Sequence, residues 1–223
     1  MKTTNYPFPD LILFDWDNTL MDTTPALYQA FCVLCEKYGI PKCSMEEYRA
    51  RTGLSLRETF PDMFGDKWEE AKKVYLDAYM ERHLDLLTPF RDAEKLVAFA
   101  AENAKAGVVS NKTAAILRDE INHLGWDKYL SAVVGAGDAP KDKPAAEPAL
   151  LAMREAGVEY GRPVWFVGDG DTDILCAANA GCFPVRVADE NRDGAAVLTV
   201  KNCSELLLTL YSLTETEYKN DKQ

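Results

Sequence analysis

The chain has 223 residues, 47% of them hydrophobic and 27% charged, with 36 acidic against 25 basic side chains and a formal net charge of −11. These proportions exclude a disordered chain, and the length suffices for one substantial core or for one domain carrying an insertion. The acidic excess disfavours nucleic acid and anionic membranes as partners, no apolar run approaches the ~18 residues needed to span a bilayer, and Met1–Asp10 lacks the pattern of a signal peptide, so a cytoplasmic protein is expected.

In chain order, Leu11-Ile12-Leu13-Phe14 is a continuous apolar run of the kind that forms a strand buried on both faces, and it ends abruptly on Asp15-Trp16-Asp17. From Asp22 to Leu87 the pattern is helix after helix. Leu27, Ala30, Phe31, Leu34, Cys35 and Tyr38 recur at helical spacing, and Trp68, Ala71, Tyr75, Ala78 and Tyr79 mark one face of a long amphipathic helix. Cys32 and Cys35 read as buried helix residues, because the six cysteines include no second CxxC and His83 and His123 are the two histidines. Free thiols are expected.

Residues 22–87 are therefore expected to form a helical domain inserted after the first strand, hinged near Asp22–Pro25 and Thr88–Arg91. Beyond it, apolar runs at 107–110, 132–135, 164–168 and 183–187 alternate with helical segments at Ala93–Ala104, Thr113–Leu124 and Pro144–Ala156, the last with proline at its first position. This alternation predicts an α/β fold with a Rossmann-like three-layer parallel-sheet core, built from residues 1–21 and 88–223. Thr214–Gln223 is polar and aperiodic, the pattern of a frayed end.

Ligands of an open parallel sheet bind at the carboxyl ends of its strands, and three strands here end in polar groups. Asp15 and Asp17, two apart in extended chain, lean to the same side. Asn18 follows where a sharp turn needs positive φ, and Thr19 is placed to hydrogen-bond within that turn and fix the aspartates. Ser110 and Asn111 precede a helix whose free N–H groups favour an anion. Gly168-Asp169-Gly170-Asp171-Thr172-Asp173 leads into a helix that Gly181 is expected to end. Asp15, Asp17, Asp169 and Asp173 at one edge repel one another unless a cation sits among them, and magnesium suits such oxygen ligands. Taken singly, an Asp-Gly loop is an ordinary turn or helix cap.

Together these residues resemble the haloacid dehalogenase superfamily of phosphatases, in particular its phosphoglycolate phosphatase-like branch, over nearly the whole chain. Asp15-Trp16-Asp17-Asn18-Thr19-Leu20 resembles the family's first motif, Ser110-Asn111-Lys112 its second, Lys143-Pro144 the start of its third, and Gly168–Asp173 its fourth. Where the family often has glycine, this chain has Asn18. The resemblance implies that Asp15 attacks phosphorus and becomes an aspartyl phosphate, and that Asp17 serves as general acid and then base. It implies that Lys143 and Ser110 hold the phosphoryl oxygens with help near Asn111. It also implies that Mg2+ is bound by Asp15, Asp169 and the main-chain carbonyl of Asp17, with Asp173 orienting the ligands. The inserted helices correspond to the family's cap over the active site. Lys141 reads as a surface charge, Asp171 as solvent-facing or supporting, and Lys112 as a helix-terminus or rim residue.

The cap decides which ester is hydrolysed, and Thr52–Glu58, a glycine-bearing break between cap helices, is the segment expected against the substrate. There Arg57 either meets a second anionic group of the substrate or lies in solvent. The leading expectation is a Mg2+-dependent phosphomonoesterase for a small metabolite such as phosphoglycolate, as a monomer or homodimer. A phosphomutase that returns the phosphoryl group to a sugar is the alternative. A dehalogenase needs neither Asp17 nor the magnesium cluster, phosphonate cleavage needs a cap lysine with no motif here, and a receiver-type switch lacks both Asp17 and a helical insertion.

Overall fold

A computed structural model describes residues 7–51, 53–189 and 195–220. The first strand, β1 (Leu11–Phe14), is followed by a two-residue strand β2 (Met21–Asp22) and five helices. These are α1 (Thr24–Tyr38), α2 (Met45–Arg51), α3 (Leu56–Phe64), α4 (Trp68–Met80) and α5 (His83–Leu86). The chain returns through β3 (Thr88–Pro89), which pairs antiparallel with β2. This small ribbon lies where the two hinges are expected.

The rest of the chain alternates: α6 (Ala93–Asn103), β4 (Lys105–Thr113), α7 (Ala114–Leu124), β5 (Leu130–Ala136), α8 (Glu147–Glu155), β6 (Val164–Gly168), α9 (Asp171–Ala180), β7 (Phe183–Val187), β8 (Leu198–Val200) and α10 (Cys203–Asn220). Six strands form one parallel sheet in the order β5-β4-β1-β6-β7-β8. The order reverses on either side of β1, which puts its carboxyl end at the crevice where open parallel sheets bind ligands.

The apolar run of β1 is continuous because both faces are covered. Ile12 and Phe14 pack with Leu96, Val97, Leu117, Leu206 and Leu210 of α6, α7 and α10, whereas Leu11 and Leu13 pack with Ala149, Ala152 and Ala177 of α8 and α9. Three layers result, as the strand–helix alternation requires. A separate apolar cluster joins α1, α3 and α4 through Ala30, Leu34, Phe60, Ala71, Tyr75 and Tyr79. Ile116 of α7 completes it, so the inserted helices rest on the core as a cap.

Three local expectations are corrected. The helix expected from Pro144 begins at Glu147, and Pro148 occupies the early helical position instead. The polar segment from Thr214 continues α10 to Asn220, with residues 221–223 outside the described ones. Leu198–Val200 adds a sixth strand from only three residues. His83 is buried in the cap, whereas His123 is exposed. Gly181 ends α9 with φ 72°, as its position suggests. Among the described residues all six cysteines are free, and no helix is long and apolar enough to cross a membrane.

Candidate active site

Beyond Phe14 the chain leaves the sheet in a tight turn: the N–H groups of Leu20 and Met21 both donate to the Trp16 carbonyl, and Asn18 takes φ 60°. Asparagine tolerates this left-handed conformation better than most residues. The turn sends Asp15 and Asp17 to one cavity while Trp16, between them, is fully buried on the opposite side. Thr23 donates to Asp17 Oδ1 at 2.6 Å, and Thr24 donates to Asn18 Oδ1 at 2.6 Å. Thr19 does not fix the aspartates of its own turn; its hydroxyl reaches across to Asp169 Oδ1 at 3.3 Å.

The second stretch is aimed by an irregularity in β4. The strand advances from Val109 to Thr113 while its neighbour β5 advances only from Val134 to Ala136, so Ser110–Lys112 bulges from the ladder. Bulges of this kind re-aim side chains beside functional sites. Ser110 is buried at the cavity wall. The Asn111 side chain donates to the Lys143 carbonyl at 2.9 Å and to the cap's Gly53 carbonyl at 2.8 Å, and it accepts from the Lys143 N–H at 2.9 Å.

Lys143 is buried, and its ammonium donates to Asp15 Oδ1 at 2.6 Å, Asp173 Oδ1 at 2.7 Å and the Val109 carbonyl at 2.9 Å. Burial alone would lower its pKa, but Asp15 and Asp173 outweigh it and hold the lysine above its ordinary range. Asp173 sits in the first turn of α9 and accepts the Gly170 N–H at 2.9 Å. Position 168 admits no side chain, because a Cβ there would lie 2.2 Å from Asp173 Cγ.

Asp15, Asp169 and Asp173 offer carboxylate oxygens all within 4.8 Å of one another. Burial, with the charge of Asp173, pushes the Asp15 carboxyl up to about 8 and that of Asp169 up to about 6, against the pull of Lys143. Largely buried, mutually repelling and made only of oxygen, this donor set fits a hard divalent cation. Asp171 stays outside it, exposed and paired with Arg186 at 2.8 Å. Lys141 is an exposed partner of Glu147.

The cavity has a volume of about 160 Å3. Asp15, Asp17, Ser110, Asn111, Lys143, Asp169 and Asp173 line it from the core, and Leu27, Tyr48, Arg49, Leu54, Tyr75 and Leu76 from the cap. Arg57 does not line it. Its guanidinium makes a two-pronged contact with the buried carboxylate of Asp142 and donates to the Ala139 carbonyl at 3.2 Å. The expectation that Arg57 meets either substrate or solvent is corrected: it ties the cap to the core beside Lys143. Thr52, in the same expected segment, lies outside the described residues.

A family profile described as haloacid dehalogenase-like hydrolase matches residues 12–187, which include every motif residue above. The chain belongs to this family. It is similar to a phosphoglycolate phosphatase of Chromobacterium violaceum, with 28% identity over 87% of this chain and 93% of the relative. It is also similar to the pyrophosphatase PpaX of Bacillus velezensis, with 29% identity over 79% of this chain and 82% of the relative. A haloacid dehalogenase-like hydrolase of Streptococcus pneumoniae shares the fold, with a TM-score of 0.77 and 19% identity over 90% of this chain and 98% of that one.

The site residues whose roles no sequence motif marks form one group. Lys112 is no rim residue: it is buried, 2.8 Å from Asp17 Oδ1 and 2.9 Å from both oxygens of Glu120. Glu120 occupies the apolar face of α7 between Leu117 and Ile121. A lone carboxylate in an apolar helical stripe was the one available signal, since buried acids are rare unless paired.

Proposed function

We propose that this haloacid dehalogenase-like hydrolase is a Mg2+-dependent phosphatase for small metabolite monoesters, acting through an aspartyl phosphate on Asp15. The observation that carries the reading is the convergence of Asp15, Asp17, Ser110, Lys143, Asp169 and Asp173 on one cavity beneath a cap. Relatives named for phosphatase and pyrophosphatase activity support the reaction class. Residues 1–21 and 88–223 serve as the catalytic core, and residues 22–87 as the cap.

Asp15, Asp169 and the Asp17 main-chain carbonyl would hold the Mg2+, with Asp173 orienting the set. Bound there, the cation supplies charge neutralisation for the phosphoryl oxygens. Lys143 and the Ser110 hydroxyl hold the same oxygens, with Asn111 fixing the backbone beside them. A carboxylate oxygen of Asp15 forms a bond to phosphorus as the bond to the leaving oxygen breaks, and the proton from Asp17 goes to that oxygen. In the second half, Asp17 takes a proton from water, the water oxygen bonds to phosphorus, and the Asp15–phosphorus bond breaks. Closure of the cap limits competing water.

The leaving group faces Leu27, Tyr48, Leu54, Tyr75 and Leu76, with the cation of Arg49 on the same wall. This lining suits a small ester carrying a second anionic group, a description that phosphoglycolate meets. The test is phosphate release from a panel of phosphoglycolate, sugar phosphates, nucleotides and pyrophosphate, with Mg2+ or with EDTA. Mg2+-dependent release that Asp15→Asn abolishes is expected. An isomeric sugar phosphate without inorganic phosphate would replace hydrolysis with the mutase reading, and no turnover of any compound would overturn both.

A further inference from the structure

Beside Asp17, with Lys112 and Tyr79 at the cavity wall and Glu120 behind them, lies a polar group that the steps above do not use. Glu120, fully buried, accepts four hydrogen bonds: two from Lys112 at 2.9 Å, one from the Trp16 indole at 2.6 Å and one from the Tyr79 hydroxyl at 2.7 Å. The Lys112 ammonium also reaches Asp17 Oδ1 at 2.8 Å, the oxygen that accepts the Thr23 hydroxyl at 2.6 Å. Asp17 Oδ1 thus has two donors, whereas Asp17 Oδ2 accepts no hydrogen bond among the described residues.

Resting on the reading of Asp17 as the acid–base group, we infer that Lys112 and Glu120 are its positioning residues, completed by Tyr79 of the cap. Lys112 and Thr23 pin Oδ1, so Asp17 gives and takes its proton through Oδ2, toward the leaving oxygen. Glu120 cancels the charge of Lys112, so the extra donor brings no net positive charge to the acid. By holding the Trp16 indole, Glu120 also fixes the backbone between the two catalytic aspartates. Tyr79 belongs to α4, so the arrangement is complete only with the cap seated on α7. A buried ion pair with every lone pair and proton satisfied holds geometry well, and one missing a partner does not.

The test is the dependence of kcat/KM on the leaving group, from 4-nitrophenyl phosphate, which departs without a proton, to alkyl phosphates, which need one. This constant reports only the steps through leaving-group departure and is unaffected by later phosphoenzyme hydrolysis. For Lys112→Met, the paired neutral variant Lys112→Met/Glu120→Gln, and Tyr79→Phe, the expected loss is greatest on alkyl phosphates. It is about 100-fold for the lysine variants, from the typical worth of a general acid, and under about threefold on 4-nitrophenyl phosphate. Asp17→Asn should show the same slope more steeply. If Lys112→Met does not fold, the paired variant and Tyr79→Phe still decide the matter. Equal losses across the series, or none, with an active wild type would overturn the positioning role alone. A wild type inactive on every ester would overturn the phosphatase reading and this inference with it.

Discussion

Lys143 and Lys112 are both buried ammonium groups that bridge an aspartate of the first motif and a second acid. All the partners of Lys143, namely Asp15, Asp173 and the Val109 carbonyl, come from the core. Lys112 takes Asp17 and Glu120 from the core but reaches the Tyr79 hydroxyl of the cap at 2.7 Å. The same chemical unit is therefore built twice, once closed within the sheet edge and once completed across the cap. The ammonium beside Asp15 is thus held by core groups alone, whereas the one beside Asp17 is completed by the cap.

The sharpest way to break this comparison is to remove each lysine and ask which esters notice. Lys143→Met should cut kcat/KM by about 1,000-fold on every ester regardless of leaving group, because charge stabilisation at the phosphoryl group is lost throughout. It should also destabilise the fold by about 3–5 kcal/mol, since Asp15 and Asp173 stay buried without their cation. A loss confined to alkyl phosphates would erase the distinction between the two lysines. Urea unfolding beside the kinetics checks both parts.

The next effect concerns charge balance, since the single cation of Lys143 faces a cluster of three carboxylates, Asp15, Asp169 and Asp173. Asp15 near 8 and Asp169 near 6 both lie above the ordinary 3.8, so the folded chain holds protons that the unfolded chain has already released. That stabilisation is fully present below about pH 4 and is lost as pH rises through about 6 and 8. The melting temperature of metal-free protein should therefore fall between pH 5 and pH 8. Mg2+ at 100 times its Kd at pH 8 should stabilise the protein there by about 2.7 kcal/mol, and the same concentration should stabilise it less at pH 5. A metal-free melting temperature that is flat or rising over this range would contradict the arrangement.

The smallest effects separate two cap arginines. Arg57→Ala removes the tie to Asp142 and should lower kcat/KM by a similar factor, about 5–10-fold, for phosphoglycolate and 4-nitrophenyl phosphate, because one charge-assisted tie is lost. Arg49→Ala should raise KM for phosphoglycolate about fivefold, the worth of an exposed ionic contact, while sparing 4-nitrophenyl phosphate. Reversed selectivities would return the recognition role to Arg57.

Local chemistry made much of this legible in advance. Buried strands announce themselves as apolar runs, and Asp15, Asp17, Ser110, Lys143, Asp169 and Asp173 follow strands or precede helices at recognisable spacing. The start of α8 is ambiguous in the sequence because Pro144 and Pro148 offer the same signal, and β8 leaves no trace because three residues carry no periodicity. The roles of Arg57 and Glu120 escape a local reading for another reason. Their partners lie 85 residues away at Asp142 and 104 away at Trp16, and only the folded chain brings such pairs together.

Trp16 has a further consequence. Its indole is fully buried, bound to Glu120, and edge-on to that of Trp126 with ring centroids 5.7 Å apart and planes at 79°. Two chromophores at that separation and angle exchange excitation, so their near-ultraviolet circular dichroism reports the turn that carries Asp15 and Asp17. The chain holds its own optical gauge of that turn, readable without a label and before any turnover.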